Sequence, residues 1–175
     1  MQKGDEFPHF VLQDENGETV DSKQLLGLRY IVFFYARDNT PGCTTEAVDF
    51  TTLYANFAMR NVLIFGVSGD SVASHRKFKD KHGLKEKLLS DPDHEFAKAC
   101  GAYGEKKNYG KIVQGTIRST FLPGRGAFVV VNGKRIGLFG EMAPKCITDY
   151  ELTHPVMMME LDLSDLIAER SGRLF

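Results

Sequence analysis

The segment Thr40-Pro41-Gly42-Cys43-Thr44-Thr45-Glu46 is where this sequence gathers reactive side chains. It follows the apolar run Tyr30 to Tyr35 and precedes a stretch in which Ala47, Phe50, Tyr54, Phe57 and Ala58 recur at helical spacing. Cys43 therefore belongs to the first turn of a helix that succeeds a strand. Unpartnered backbone N–H groups and the positive end of the helix dipole meet at that point. Both favour thiolate over thiol, and only the thiolate is a good nucleophile. An isolated intracellular cysteine is more often a small buried apolar residue; the placement with Thr40 close by argues for chemistry instead. A dithiol oxidoreductase would carry Cys-x-x-Cys at such a turn, and here Thr40 stands where the first cysteine would be. One sulfur beside a hydroxyl cannot cycle through a local disulfide. It suits attack on a peroxide, with the hydroxyl bonding the incoming oxygen.

The elements that must hold this segment are legible around it. Tyr30 to Tyr35 and Val62 to Val67 read as strands buried on both faces, and the helix between them makes a β-α-β unit with parallel strands. A second helix spans Ser71 to His82 and is closed by Gly83. A third begins at Asp91-Pro92 and carries Phe96, Ala99 and Cys100 inward. Phe10-Val11-Leu12 and Thr19-Val20 flank Asn16-Gly17 as a hairpin. Ala127 to Val131 and Arg135 to Phe139 flank Asn132-Gly133-Lys134 as another. The lysine-rich stretch from Gly104 to Gly115 reads as a solvated loop.

Composition bounds the function. The 175 residues suit one globular domain. Twenty-two basic and 23 acidic side chains nearly cancel, which leaves no field for holding nucleic acid or an anionic membrane. The apolar runs are far shorter than the ~20 residues of a membrane span, and the start lacks the apolar stretch of a signal peptide. Three widely spaced cysteines, Cys43, Cys100 and Cys146, do not form a secreted disulfide framework. A reducing, cytoplasmic setting is expected. The five histidines show no metal-ligand spacing with cysteine, so neither a metal nor a cofactor is expected. Lys77, Lys79, Lys81, Lys85 and Lys87 are interrupted by Asp80 and Glu86 and read as a solvated face.

Several motifs together resemble one family. They are Gly4-Asp5 with Pro8 and Phe10, Thr40-Pro41-Gly42-Cys43-Thr44, Ser90-Asp91-Pro92-Asp93, Tyr103-Gly104-Glu105-Lys106, and Gly115-Thr116-Ile117-Arg118-Ser119-Thr120-Phe121-Leu122. In this order they resemble the peroxiredoxins, specifically the peroxiredoxin Q or bacterioferritin comigratory protein group. The resemblance implies an α/β thioredoxin-like sandwich, with a central mixed sheet flanked by helices, and a thiol peroxidase acting on hydrogen peroxide and organic hydroperoxides. Cys43 matches the peroxidatic cysteine, Thr40 and Arg118 match its supporting residues, and Pro41 and Gly42 lie in the same active-site loop. In physical terms Arg118 is a permanent cation that can stabilise charge on the peroxide oxygens. Thr40 can orient the peroxide, Pro41 can narrow the approach to the sulfur, and Gly42 can let backbone N–H groups come close.

Two departures from the family pattern matter. Ala36 occupies the position seven residues before Cys43 where proline is usual, and Val48 occupies the position five residues after it where many members carry a resolving cysteine. Cys100 and Cys146 are the internal candidates to resolve the sulfenic acid, and Cys100, beside Phe96 and Tyr103, reads as core packing. The expected cycle therefore uses one cysteine, with thioredoxin, glutaredoxin or a small thiol as external reductant, in a monomer or weak dimer. The alternatives are a peroxide sensor that oxidises without turnover, and a binding module that docks through its tail.

That tail is atypical. Residues from about 122 to 163, including Leu122-Pro123-Gly124-Arg125-Gly126 and Tyr150-Glu151-Leu152-Thr153-His154-Pro155, resemble the end of the phenylalanyl-tRNA synthetase β subunit. No synthetase active-site motif accompanies them. The expected division is a peroxiredoxin core over residues 1–122 and an atypical segment over residues 123–175 that completes the same domain through a 127–139 hairpin. Met157-Met158-Met159 reads as core packing.

Overall fold

A computed structural model of the chain describes residues 5–108, 111–116, 121–142 and 157–161. The chain enters through β1 (Val11–Asp14) and β2 (Thr19–Asp21), then one 3-10 turn at Ser22–Leu25 capped by the Asp21 carboxylate. There follow β3 (Arg29–Phe34), α1 (Pro41–Ala58), β4 (Val62–Ser68), α2 (Val72–His82), β5 (Lys87–Ser90) and α3 (Glu95–Ala99). The rest is strand: β6 (Tyr103–Asn108), β7 (Lys111–Thr116), β8 (Phe121–Val131), β9 (Lys134–Met142) and β10 (Met157–Leu161).

Among the described residues one eight-stranded sheet runs in the order β10-β9-β8-β3-β4-β5-β1-β2. Its centre, β3-β4-β5, is parallel, as the helical crossovers require. Strands β8 and β1 close it on either side with antiparallel pairing. This is the α/β thioredoxin-like arrangement with a mixed sheet that the motifs imply.

The continuous apolar runs of β3 and β4 are explained by burial on both faces. Tyr30, Val32 and Phe34 face one core with Phe7, Phe10, Phe96, Ala97 and Cys100. Ile31, Phe33 and Tyr35 face another with Cys43, Ala47, Phe50 and Phe78. Helices α1 and α2 thus cover one face and α3 with the N-terminal segment covers the other. At ~1.5–3 kcal/mol for each fully buried large apolar side chain, these two layers dominate the stability.

Local signals hold where a side chain or a left-handed backbone is specified. The Ser71 side chain caps α2 by accepting from the Ser74 amide, and Gly83 ends that helix at φ 64°. Asn132 at φ 49° and Gly133 at φ 72° make the tight turn between β8 and β9. The first hairpin forms too, but its connection is organised by Asp14, whose Oδ1 accepts from the amides of Asn16 and Glu18, while only Gly17 takes positive φ.

Three expectations need correction. Helix α3 starts four residues later than Asp91, after Pro92 and Asp93 form a turn and His94 takes φ 56°. Asp91 still caps it, buried beneath and accepting from the amides of Phe96 and Ala97. Ala97, not Ala99, then points inward. The stretch read as a solvated loop contains β6 and β7, a two-stranded ribbon. It lies off the main sheet, so its sequence never needed an alternating apolar face. Its root is fixed by Tyr103 stacked on His94 at 4.0 Å, with Lys98 5.8 Å from the Tyr103 ring. Finally, the basic cluster is not wholly solvated. Lys79 reaches Glu15 and Lys87 reaches Asp14, each at 2.6 Å, and both carboxylates are buried. No described helix is long and apolar enough to cross a membrane.

Candidate active site

Strand β3 runs out of the sheet into residues 36–40, and α1 begins directly after them. Thr40 is the N-cap in extended conformation, and Pro41 is the first helical residue, where a fixed φ and a missing N–H are at home. Cys43 is the third residue of the helix and 7% exposed, with its side chain in the apolar layer beside Tyr35, Ala47 and Phe50. The first bond inside the helix runs from the Thr44 amide to the Thr40 carbonyl at 2.9 Å. The amides of Gly42 and Cys43 precede it, in the turn that lacks intrahelical acceptors. A small reactant reaching Cys43 therefore meets a sulfur almost closed to bulk water, at the positive end of an 18-residue helix.

Thr40 does not cap the helix with its side chain. Its hydroxyl donates to the Arg37 carbonyl at 3.1 Å, which leaves the oxygen lone pairs as acceptors for an arriving O–H. Pro41 is exposed at the mouth of this turn. Among the described residues a Cβ at Gly42 would meet nothing within 4 Å, so no described neighbour crowds the first turn of α1 there.

Behind the turn lies a buried polar cluster that sequence reasoning missed. Asp38, 7% exposed, accepts from Tyr35 Oη at 2.8 Å and from Ser74 Oγ at 2.7 Å. Both of its oxygens lie 3.1 Å from His75 Nδ1. Its amide donates to Asp70 Oδ2, which also accepts from Ser68 Oγ. Burial alone would push the Asp38 carboxyl up, but the hydrogen bonds from His75, Ser74 and Tyr35 outweigh it and hold it below the usual carboxylate range. Burial, reinforced by the Asp38 charge, pushes Tyr35 well above the ordinary phenol range, so Tyr35 stays a donor. The only sequence signal was the spacing of His75 and Phe78 on one helix face, which reads as packing.

Comparison with known proteins gives this turn its context. The model of the AhpC/TSA family matches residues 3–135. A putative peroxiredoxin of Mycobacterium tuberculosis is 42% identical over 143 residues, which cover 82% of this chain and 91% of that protein. Peroxiredoxin Bcp of Bacillus subtilis is 44% identical over 122 residues, covering 70% and 78%. The chain belongs to the peroxiredoxins, in the Bcp and peroxiredoxin Q group. Among solved structures, a mutant of Xanthomonas campestris peroxiredoxin Q superposes with a TM-score of 0.68 at 31% identity, covering 81% of this chain and 87% of that one. A structure of the bacterioferritin comigratory protein from the same organism, concerned with its alkyl peroxide reduction activity, has a TM-score of 0.64 at 33% identity, covering 72% and 76%. The family activity is that of a thiol-dependent peroxidase.

Of the candidate site residues of this peroxiredoxin, the structure brings together Cys43, Thr40, Pro41 and Gly42 on one helical turn. Arg118 and Cys146 lie outside the described residues. Cys100 is buried at 3% exposure in the core layer opposite to that of Cys43, with the sheet between them. Burial, with the Asp91 charge nearby, pushes its thiol far up. Among the described residues no group of histidine, cysteine and carboxylate side chains is arranged to hold a metal ion.

Proposed function

We propose that Cys43 is the peroxidatic nucleophile of a one-cysteine cycle that reduces hydrogen peroxide and organic hydroperoxides at the expense of an external thiol. The observation that carries this reading is the placement of Cys43 in the first turn of α1 while Cys100 sits on the far side of the sheet. The Cys43 thiolate attacks the nearer peroxide oxygen along the O–O axis. An S–O bond forms, the O–O bond breaks, and its electron pair leaves on the distal oxygen, which takes a proton to become alcohol or water. The peroxide proton stays on the transferred oxygen, and Cys43 becomes a sulfenic acid.

Thr40 accepts the peroxide O–H and sets the line of approach. Pro41 edges the opening, and the space above Gly42 admits the substrate. Arg118 supplies the cation that stabilises charge on the departing oxygen. Two observations support its assignment. Ala127 of β8 pairs with Phe33 near the end of β3, so β8 enters the sheet on the side where β3 leads to Cys43, and Arg118 precedes Phe121, the first residue of β8, by three positions.

The reductant, a thioredoxin, glutaredoxin or small thiol, attacks the sulfenic sulfur, expels water and forms a mixed disulfide that a second thiol opens. Val48, 38% exposed, cannot serve in place of that thiol. We further take the chain as a monomer or weak dimer of a reducing cytoplasm, with residues 123–175 completing the peroxiredoxin domain rather than forming a synthetase-like module. Strands β8 and β9 in the main sheet support that division. Steady-state peroxide consumption with a thioredoxin system or with dithiothreitol tests the cycle. Sustained turnover in wild type, lost in Cys43→Ser, is expected. Consumption of one equivalent and no more identifies a sensor instead.

A further inference from the structure

The loop that delivers Cys43 has little apolar packing of its own. Ala36, Arg37 and Asn39 are exposed and Thr40 is half-buried, so Asp38 is the one buried side chain between Tyr35 and Pro41. A loop anchored at a single side chain takes its conformation from whatever holds that side chain. The Asp38 carboxylate is held by Tyr35 just after β3, and by Ser74 and His75 on the first turns of α2, while Asp70 Oδ2 accepts from the Asp38 amide. Asn39 also accepts from Lys81 and His82, but at the surface, where water competes for the same groups.

His75 stands out among the three. It is fully buried, and its Nε2 has no hydrogen-bond partner among the described residues. Its other ring nitrogen is committed to Asp38, with Tyr35 Oη 3.2 Å away. Burying an imidazole with one nitrogen unmet is costly. A helix face selected for packing alone would carry an apolar side chain here, one turn from the fully buried Phe78. Local departures of this kind concentrate where a protein must hold a site in place.

We propose that His75 is a positioning residue of the peroxidase site: through Asp38 it fixes residues 36–40, and so sets the Thr40 hydroxyl and the Cys43 sulfur relative to an incoming peroxide. The connection is short. His75 orients the Asp38 carboxylate, Asp38 pins the loop backbone, and the loop carries the Arg37 carbonyl to which Thr40 donates. This inference rests on Cys43 being the nucleophile and deepens that reading.

The test uses full-length wild type, His75→Leu and His75→Asn. Leucine fills the volume without a donor, whereas the asparagine amide falls near the position of Nδ1. The rate of Cys43 oxidation by hydrogen peroxide is measured by stopped flow, and alkylation by iodoacetamide in parallel, well below the unfolding transition of each protein. Displacing reacting groups by an ångström costs up to ~10²-fold, and Tyr35 and Ser74 keep part of the anchor, so His75→Leu should slow peroxide oxidation by about tenfold. Alkylation needs no oxygen aligned and should change by less than about threefold, and His75→Asn should recover most of the peroxide rate. A His75→Leu rate equal to wild type overturns the proposal. So do equal losses in the leucine and asparagine variants, or a fall in alkylation that keeps step with oxidation. Should His75→Leu not fold, His75→Gln takes its place: its amide lies beyond the Nδ1 position, and the same slow, unrescued oxidation is expected. A wild-type chain that does not oxidise at Cys43 overturns the function reading together with this one, whereas an active wild type with an equally fast leucine variant overturns this one alone.

Discussion

Gly66→Ala should harm both the fold and the active site, although Gly66 lies inside β4. A Cβ there would meet Phe33 Cζ at 2.7 Å and Leu88 Cδ2 at 2.9 Å. Carbon atoms pack comfortably at ~3.5–4.0 Å, so the neighbours must retreat by roughly 0.6–1.3 Å. Neither has room, because both side chains are fully buried. Phe33 also stacks on Phe50 of α1 with ring centroids 4.5 Å apart, so its displacement presses on the helix that presents Cys43. Overpacking of this kind costs ~1–3 kcal/mol, and two crowded carbons place it at about 2 kcal/mol. For a chain of this length that lowers Tm by about 4–8 °C. Thermal melting followed by circular dichroism reads the loss, and stopped-flow oxidation at a temperature where both proteins are folded should show Cys43 slowed severalfold. Adding Phe33→Leu removes the obstructing ring, so the double variant should lose less than the summed single losses. A Gly66→Ala protein that melts within about 1 °C of wild type would refute the packing argument and the mechanical link to α1.

Other outcomes follow from the buried polar groups. Burial raises the Glu86 carboxyl, although hydrogen bonds from Thr51 and the Lys85 amide oppose it. The fold therefore prefers protonated Glu86, and wild-type stability falls as pH rises through and above the ordinary glutamate range. Glu86→Gln removes that loss, so urea melts should show the variant gaining stability over wild type at pH 7 relative to pH 4. Asp14 behaves oppositely. Burial pushes it up, but bonds from Lys87 and the amides of Asn16 and Glu18 outweigh this and lower it. Its stabilisation is present at neutral pH and lost as pH falls below about 4, so Asp14→Ala should cost about 2 kcal/mol at pH 7 and progressively less in acid. Cys100→Ala should keep peroxide turnover intact while costing about 1 kcal/mol of stability. In wild type Cys100 should react with a maleimide only after denaturation.

Legibility in the sequence followed burial. The runs in β3 and β4 and the period of α1 were readable because both faces of the central strands and one face of the helix must be apolar. Ser71, Gly83 and Asn132-Gly133 were readable because caps and tight turns demand particular backbone chemistry. The ribbon of β6 and β7 was not, since a two-stranded ribbon off the sheet imposes no such pattern. Asp91 signalled a helix start, but it caps α3 from a distance, with a turn interposed. Of the site, the place of Cys43 at the start of a helix after a strand was legible from residue order alone, because a continuous apolar run precedes it and a helical period follows it. The anchor behind it was hidden. Tyr35 and Asp38 after β3 are far apart in sequence from Asp70 after β4 and from Ser74 and His75 on α2, and each alone passes for a surface charge, a cap or a core aromatic.

The most direct test of the account is the mass of the protein, located by peptide mapping, after one equivalent of hydrogen peroxide reacts with the fully reduced chain and the product is trapped with dimedone. The account predicts a single dimedone adduct on Cys43, with Cys100 and Cys146 still free thiols. Loss of two hydrogens through a disulfide between Cys43 and either of the others, or an adduct anywhere but Cys43, would contradict it.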